Sequence, residues 1–292
     1  MTNDARPLGG ITVVDLSVNL PGPVASARLR DLGARVIKVE PPAGDPLSRV
    51  APDWYTALCA DKRRECLDLK NERGRTRLDQ LLGGTDVLVT ASRPRGLERL
   101  GLGWDAVHTR FPRLCQVAIV GFRDPYTDLP GHDLTYQAIA GLLESGGTGD
   151  LPRTLIADLG GAERAVSAAL GLLLARERTG KAGYVEVALV DAAQAFAAPL
   201  QHGLTAPGGM LGGGYPPYNR YASADGWIVI AALEPRFWNG FVQAVGHVDL
   251  ADPLATGVTA ALAALFRTRT TAAWLQLAGE HDLPIADAAD RT

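Results

Sequence analysis

Residues 11–40 read ITVVDLSVNLPGPVASARLRDLGARVIKVE, and their pattern sets the fold class. ITVVDL, residues 11–16, is a β-branched apolar run of the kind that fills a buried strand. Pro21-Gly22-Pro23 stops that strand, and VASARLRDLG then has a helical pattern closed by Gly33. RVIKVE, residues 35–40, is the next strand. Strand, helix and strand in so short a span predict a βαβ unit, and with it a parallel sheet. No G-x-G-x-x-G follows the first strand, and Glu40 alone is a weak ribose partner, so the unit lacks a dinucleotide fingerprint.

The alternation continues outward from this unit. A turn-rich segment, Pro41 to Pro52, leads to the basic cluster Lys62-Arg63-Arg64 and then CLDLK, residues 66–70. That cluster reads either as a solvated loop and strand edge or as an anion site, since Lys and Arg supply donors that suit phosphate. A helix over Glu72–Leu82 precedes a third strand over Asp86–Thr90. Ser92-Arg93-Pro94-Arg95-Gly96 follows at the C-terminal end of that strand, where open α/β sheets place ligands. A helix from Trp104 towards Arg113, a fourth strand over Leu114–Val120 and a fifth over Tyr184–Leu189 complete the pattern. The Gly- and Pro-rich run APGGMLGGGYPP, residues 206–217, breaks both helix and strand. Beyond it a hairpin over Tyr221–Ala231 turns at Asp225-Gly226, Pro235 opens a helix, and Ala-rich helices run to the end. The expected architecture is α/β: a large Rossmann-like parallel-sheet domain over 1–205, a hinge over 206–217, and a small α+β domain over 218–292.

The chemistry concentrates in residues 131–161, GHDLTYQAIAGLLESGGTGDLPRTLIADLGG. His132 and Asp158 are two groups able to move a proton. Thr154–Ala157 reads as a short strand, ended by Asp158, with Gly160-Gly161 opening the apolar helix that follows. A carboxylate there sits next to a helix N-terminus, whose dipole favours negative charge. Asp191 repeats the setting after the fifth strand, so position alone does not choose between the two.

Composition removes several classes. The hydrophobic share is 47%, the charged share 21% and the net charge −3, which fits a globular core and gives no general attraction to nucleic acid or anionic membrane. Three scattered cysteines, Cys59, Cys66 and Cys115, form no CxxC pair and read as buried reduced thiols. No signal peptide or membrane-spanning run stands out, so a cytoplasmic protein is expected. No His, Cys and carboxylate cluster has metal-ligand spacing, so no metal site is expected.

Seven segments, taken in order, resemble one family: VVDLSVNLPGPVASARLRDLGARVIKVEPP, CLDLKNERGR, SRPRGLERLGLGWD, PGHDLTYQAIAGLL, LIADLGGA, ARERTGKAGYVEVALVDA and PPYNRYASADGWIVIAALEPRFW. The resemblance is to the family III CoA-transferases, and within them to the α-methylacyl-CoA racemase branch. It implies an acyl-CoA thioester as substrate, no cofactor beyond that coenzyme A, and an interlocked homodimer with neither a nucleic-acid nor a membrane partner. It also implies roles. Leu67, Asp68, Leu69 and Lys70 match the segment along the adenine end of CoA, and Arg93 and Arg99 match arginines near its phosphates and pantetheine. Gly131 to Tyr136, with Asp133, match the loop that holds the thioester. Asp158 matches the carboxylate shared by transferases and racemases. His132 and Glu234 look like the racemase branch, in which the glutamate approaches from the partner subunit. Relatives continue past the position of Thr292 with a segment that returns to the first domain, and the small domain here is expected to lack it.

Three activities follow from the resemblance. The first is epimerisation of the α-carbon of a 2-methylacyl-CoA by 1,1-proton transfer between His132 and Asp158. Backbone N–H groups near Gly160-Gly161 are expected to stabilise the enolate oxygen, and Asp133 either orients the His132 ring or caps a helix. The second is CoA transfer between carboxylic acids through an acyl anhydride on Asp158. The third is a non-catalytic acyl-CoA-binding protein.

Overall fold

The structure is a computed structural model that describes residues 6–143 and 151–288. β1 (Thr12–Asp15) leads through α1 (Pro21–Asp31) to β2 (Arg35–Glu40), then through α2 (Leu47–Val50) and α3 (Pro52–Cys59) to β3 (Arg63–Cys66). α4 (Glu72–Leu82), β4 (Val87–Thr90), α5 (Pro94–Arg99), α6 (Trp104–Arg110) and β5 (Cys115–Val120) follow. α7 (Asp133–Ile139) and α8 (Ile156–Thr179) precede β6 (Tyr184–Ala188) and α9 (Leu189–Gln201). Last come β7 (Tyr218–Ala222), β8 (Trp227–Ala231), α10 (Pro235–Val245), α11 (Val258–Phe266), α12 (Thr271–His281) and β9 (Ile285–Asp287). The chain divides into two compact units, Met1–Ala197 and Ala198–Thr292, so that the run 206–217 falls within the second.

In the first unit β1 to β6 form one parallel sheet in the order β3-β2-β1-β4-β5-β6. The order runs one way from β1 through β2 to β3 and the other way through β4 to β6. The crevice between β1 and β4 is therefore the switch point at which doubly wound sheets bind ligands. Every residue of β1, β4 and β5 is buried, as a sheet covered on both faces requires. α1 and α8 pack together, and α8 also lies along β5 and β6. A second cluster, with Leu78, Leu88, Leu97 and Val107 at its centre, joins α4, α5 and α6 to the sheet.

Local chemistry sets the element ends. Pro21 stands in the first turn of α1, where its missing N–H is no loss. Asn71 caps α4 by accepting from the Gly74 N–H at 2.8 Å. Gly180, at φ 72°, closes α8 in the left-handed conformation that glycine adopts freely. The second unit is an antiparallel sheet, β7-β8-β9, around Ile228, Ile230, Trp238, Phe241, Phe266 and Trp274.

Several expectations need correction. Thr154–Ala157 is not a strand: α8 begins at Ile156, because its first amides are capped by a carboxylate described below. β3, sequence RREC, is a full strand of the parallel sheet, which goes further than the loop and strand edge read from its charges. It lies at the sheet edge, where exposed charge is the usual protection against mispairing. The turn-rich segment leads directly into the helix α3, and the Ala-rich helices are followed by a strand, β9, paired with β8. Cys59 and Cys115 are buried, but Cys66 is exposed at the end of that edge strand. The Gly-rich run 146–149 lies outside the described residues.

Candidate active site

A cleft of about 280 Å³ opens at the C-terminal ends of β1, β4, β5 and β6. Its walls come from Val18, Asn19 and Pro21 after β1, Ser92 and Arg93 after β4, Gly121 after β5 and Leu189 after β6. His132, Tyr136 and Asp158 also line it, so the two proton carriers singled out in the sequence share one cavity. His132 is the residue that caps α7, its backbone N–H donating to Thr135 Oγ1 at 2.9 Å. That bond fixes where the chain enters the helix and leaves the imidazole exposed.

Asp158 is the third residue of α8 and is half-buried. The helix dipole at such a position is worth about 0.3–1 kcal/mol in favour of charge, less than one pKa unit. The shift goes the other way: burial first, and then the neighbouring Asp133 carboxylate, push Asp158 up to about 6. At that value the group exchanges protons near neutral pH, which suits general acid–base work.

Asp133 does not orient the imidazole. It is buried, and its Oδ1 accepts from the N–H groups of Ala157 at 2.8 Å and Asp158 at 3.0 Å. Its Oδ2 accepts from Gln137 Nε2, and Gln137 also donates to the Thr154 carbonyl at 3.1 Å. One carboxylate at the start of α7 thus caps α8 and ties the two helix termini together. The residue adjacent to His132 sets the position of Asp158.

Tyr136 is 3% exposed, and burial followed by the Asp158 charge raises its pKa. Its ring explains two glycines: a Cβ on Gly131 would lie 2.6 Å from Tyr136 Cε1, and one on Gly121 2.4 Å from its hydroxyl. Gly160 and Gly161 also serve packing. They lie inside α8, where the i to i−4 ladder takes their N–H groups, so these are not available to an enolate oxygen. A Cβ on Gly160 would meet Phe196 Cε2 at 2.4 Å, and one on Gly161 would meet Leu189 Cδ2 at 2.3 Å.

The remaining expected residues are dispersed. Arg93 stands on the wall of the cleft and also lines a shallow groove with Arg95, Arg99 and Asp128, in which Arg95 pairs with Asp128 at 2.7 Å. Leu67 to Lys70 follow β3, two strands away from β1, beside the start of α4. There Asp68 accepts from the Lys70 N–H at 3.0 Å and from Asn71 Nδ2 at 3.1 Å. Glu234 belongs to the second unit, where it is the exposed residue that caps α10. The basic cluster is not a free anion cradle. Lys62 is buried and donates to the Pro23 carbonyl and Ser26 Oγ, Arg64 donates to the Tyr55 hydroxyl, and Arg63 pairs with Glu65. Among the described residues no group of three or more His, Cys, Asp or Glu side chains is set to hold a metal ion. Sequence reasoning missed Asn19, whose one trace is its type, a residue tolerant of turn conformations between a strand and a proline. Ser92 lies in the loop read as ligand-facing after the third strand, and helix capping is one of the two readings of Asp133, although the sequence does not show that the helix it caps is α8.

A doubly wound α/β domain with a carboxylate and an imidazole in its switch-point cleft defines a class: an open-sheet domain whose ligand site lies at the topological switch point. Comparison with known proteins sharpens this. Residues 8–291 match the model of CoA-transferase family III, and the chain belongs to that family. It is 32% identical over 271 residues to the succinyl-CoA–D-citramalate CoA-transferase of Chloroflexus aurantiacus, covering 85% of this chain and 67% of that one. It is 34% identical over 256 residues to the human alpha-methylacyl-CoA racemase, covering 82% of this chain and 65% of that one. A crystal structure of a hypothetical protein from Mycobacterium tuberculosis matches with a TM-score of 0.86 at 29% identity, covering 98% of this chain and 86% of that one. The family therefore holds both CoA-transferases and a racemase among the similar proteins. No helix among the described residues is long and apolar enough to cross a membrane.

Proposed function

We infer that the protein epimerises the α-carbon of a 2-methylacyl-CoA by 1,1-proton transfer, with His132 and Asp158 as the proton carriers. The observation that carries this reading is their placement in one cleft, with Asp158 raised to about 6. An α-hydrogen beside a thioester carbonyl is a weak acid. One group must take it from one face while another returns a proton to the opposite face, and the two exchange roles with the configuration of the substrate. Arg93 on the wall and Arg99 in the adjoining groove would meet the pantetheine and phosphates, and Leu67 to Lys70 would lie along the adenine. Gly131, Asp133 and Tyr136 shape the thioester loop. Glu234 would enter from the partner subunit of a homodimer. The coenzyme A of the thioester is the one cofactor this chemistry needs.

CoA transfer is the second reading, favoured by the 32% identity to a CoA-transferase. There the charged Asp158 carboxylate attacks the thioester carbonyl, the C–S bond breaks, CoA leaves as its thiolate and an acyl anhydride forms on Asp158. Proton NMR of a 2-methylacyl-CoA in heavy water separates the two. Loss of the α-proton signal supports epimerisation. No exchange, together with an Asp158 hydroxamate trapped by hydroxylamine in the presence of acyl-CoA, supports transfer instead.

A further inference from the structure

Asn19 stands on the wall of the cleft without an assigned task. Its φ is 66°, in the left-handed region where asparagine and glycine are tolerated and branched residues are strained. Its backbone N–H is held by Asp45, while its carboxamide is exposed and bonds to no described residue. An unpaired amide on a wall shared with Val18, Leu129 and Val120 is a selective feature. Such a group favours a ligand that pairs with it and loses its own hydration against one that does not.

The support behind that wall is unusual. Lys38 is 0% exposed, and its Nζ donates to the Ser17 carbonyl at 2.8 Å while lying 3.0 Å from Asp45 Oδ2 and 3.9 Å from Glu40 Oε1. Asp45, also 0% exposed, accepts from the N–H groups of Asn19 at 2.9 Å and Leu47 at 3.0 Å. Asp15 accepts from the Ser17 N–H at 2.9 Å and from the hydroxyls of Ser17 and Ser26. One ion pair therefore grips the Ser17 carbonyl with its lysine and the Asn19 amide with its aspartate. Burial alone would lower the pKa of Lys38, but Asp15, Asp45 and Glu40 outweigh it and hold it above its usual value. A buried ion pair adds little net stability, because desolvation offsets the attraction, so its use here is directional.

We propose that Asn19 selects acyl groups that carry a hydrogen-bonding substituent, and that the buried Lys38–Asp45 pair is the positioning device that holds Asn19 on the wall of the cleft. This rests on the reading of the cleft as an acyl-CoA site.

Calorimetric titration with CoA, butyryl-CoA and 3-hydroxybutyryl-CoA tests it, since the two thioesters differ by one hydroxyl. Wild type is expected to bind the hydroxylated thioester about tenfold more tightly, the worth of one good hydrogen bond. Asn19→Gly keeps the left-handed backbone and removes the carboxamide; it is expected to erase that preference and leave CoA affinity unchanged. Asp45→Asn keeps an acceptor for the Asn19 N–H but loses the tie to Lys38, and is expected to cut the preference to about threefold, with no further loss when added to Asn19→Gly. A preference absent in wild type, or one that survives Asn19→Gly, overturns the selectivity. Asp45→Asn with full preference, or with all three affinities lowered equally, overturns the positioning. If CoA itself does not bind wild type, the reading of the site falls and takes the proposal with it. Asn19→Gly leaves the buried pair untouched, so it decides the selectivity even if Asp45→Asn fails to fold.

Discussion

Asp158 and Asp191 occupy the same place in two helices. Each is the third residue, of α8 and α9 respectively, and each helix starts on the C-terminal side of the sheet. The two termini even touch, since Gly161 of α8 packs on Leu189, the first residue of α9. They differ in their neighbours. Asp191 is paired with the Arg123 guanidinium, which neutralises it. At Asp158 burial, and then the charge of another carboxylate, Asp133, hold the proton affinity high. The same backbone position thus yields an ion-paired carboxylate in one case and a carboxyl of raised proton affinity in the other. What surrounds the side chain decides, not the secondary structure that presents it.

Substitutions at the two helix termini test this difference. The largest expected effect is on rate. Asp158→Asn should lower α-proton exchange by about 10²–10⁴, the usual worth of a positioned acid–base group, while Asp191→Asn should leave it near the wild-type rate in the same NMR assay. Next is the packing of the two termini. Gly161→Ala drives a methyl group into the buried Leu189 side chain and should destabilise the fold by about 1–3 kcal/mol in urea titration. Gly160→Ala should be milder, because Phe196 is 51% exposed and its ring can move aside.

A smaller effect concerns pH. As a proton acceptor Asp158 works in its charged form, so exchange from the face it serves should rise with pH through about 6 and level off above it. Asp133→Asn removes the second cause of the raised value while burial persists. The limb should therefore move to lower pH without reaching the unperturbed 3.8, as a pH–rate profile would show. The smallest effect is that of Arg123→Gln. It breaks a mostly exposed ion pair and should change stability by no more than about 1 kcal/mol.

Which parts of this were legible in the sequence follows from how local each determinant is. β1, β2, β4 and β5 are legible because a doubly covered parallel sheet writes apolar runs such as TVVD and CQVAIV, and β6, at one edge, because YVEVA keeps its β-branched and aromatic residues. β3 is legible only as one of several readings, since an edge strand of sequence RREC carries charges that fit a solvated loop equally well. Thr154–Ala157 misleads for a different reason. A short apolar run is ambiguous between helix and strand, and the carboxylate that starts α8 early lies at Asp133, remote in the chain. His132 and Asp158 stand out as chemistry-bearing residues within one stretch, and the fold brings them to one cleft. The Lys38–Asp45 pair stays hidden, because a lysine inside RVIKVE reads as an interruption of a strand until a buried partner is seen.

The central claim is that Asp158, and not its counterpart Asp191, moves a proton at the α-carbon of an acyl-CoA. The most direct test is proton NMR of a 2-methylacyl-CoA in heavy water with wild type, Asp158→Asn and Asp191→Asn. Loss of the α-proton signal is expected with wild type and Asp191→Asn, and its retention with Asp158→Asn. Retention of the signal with wild type that demonstrably binds the thioester, or equal exchange by all three proteins, would contradict it.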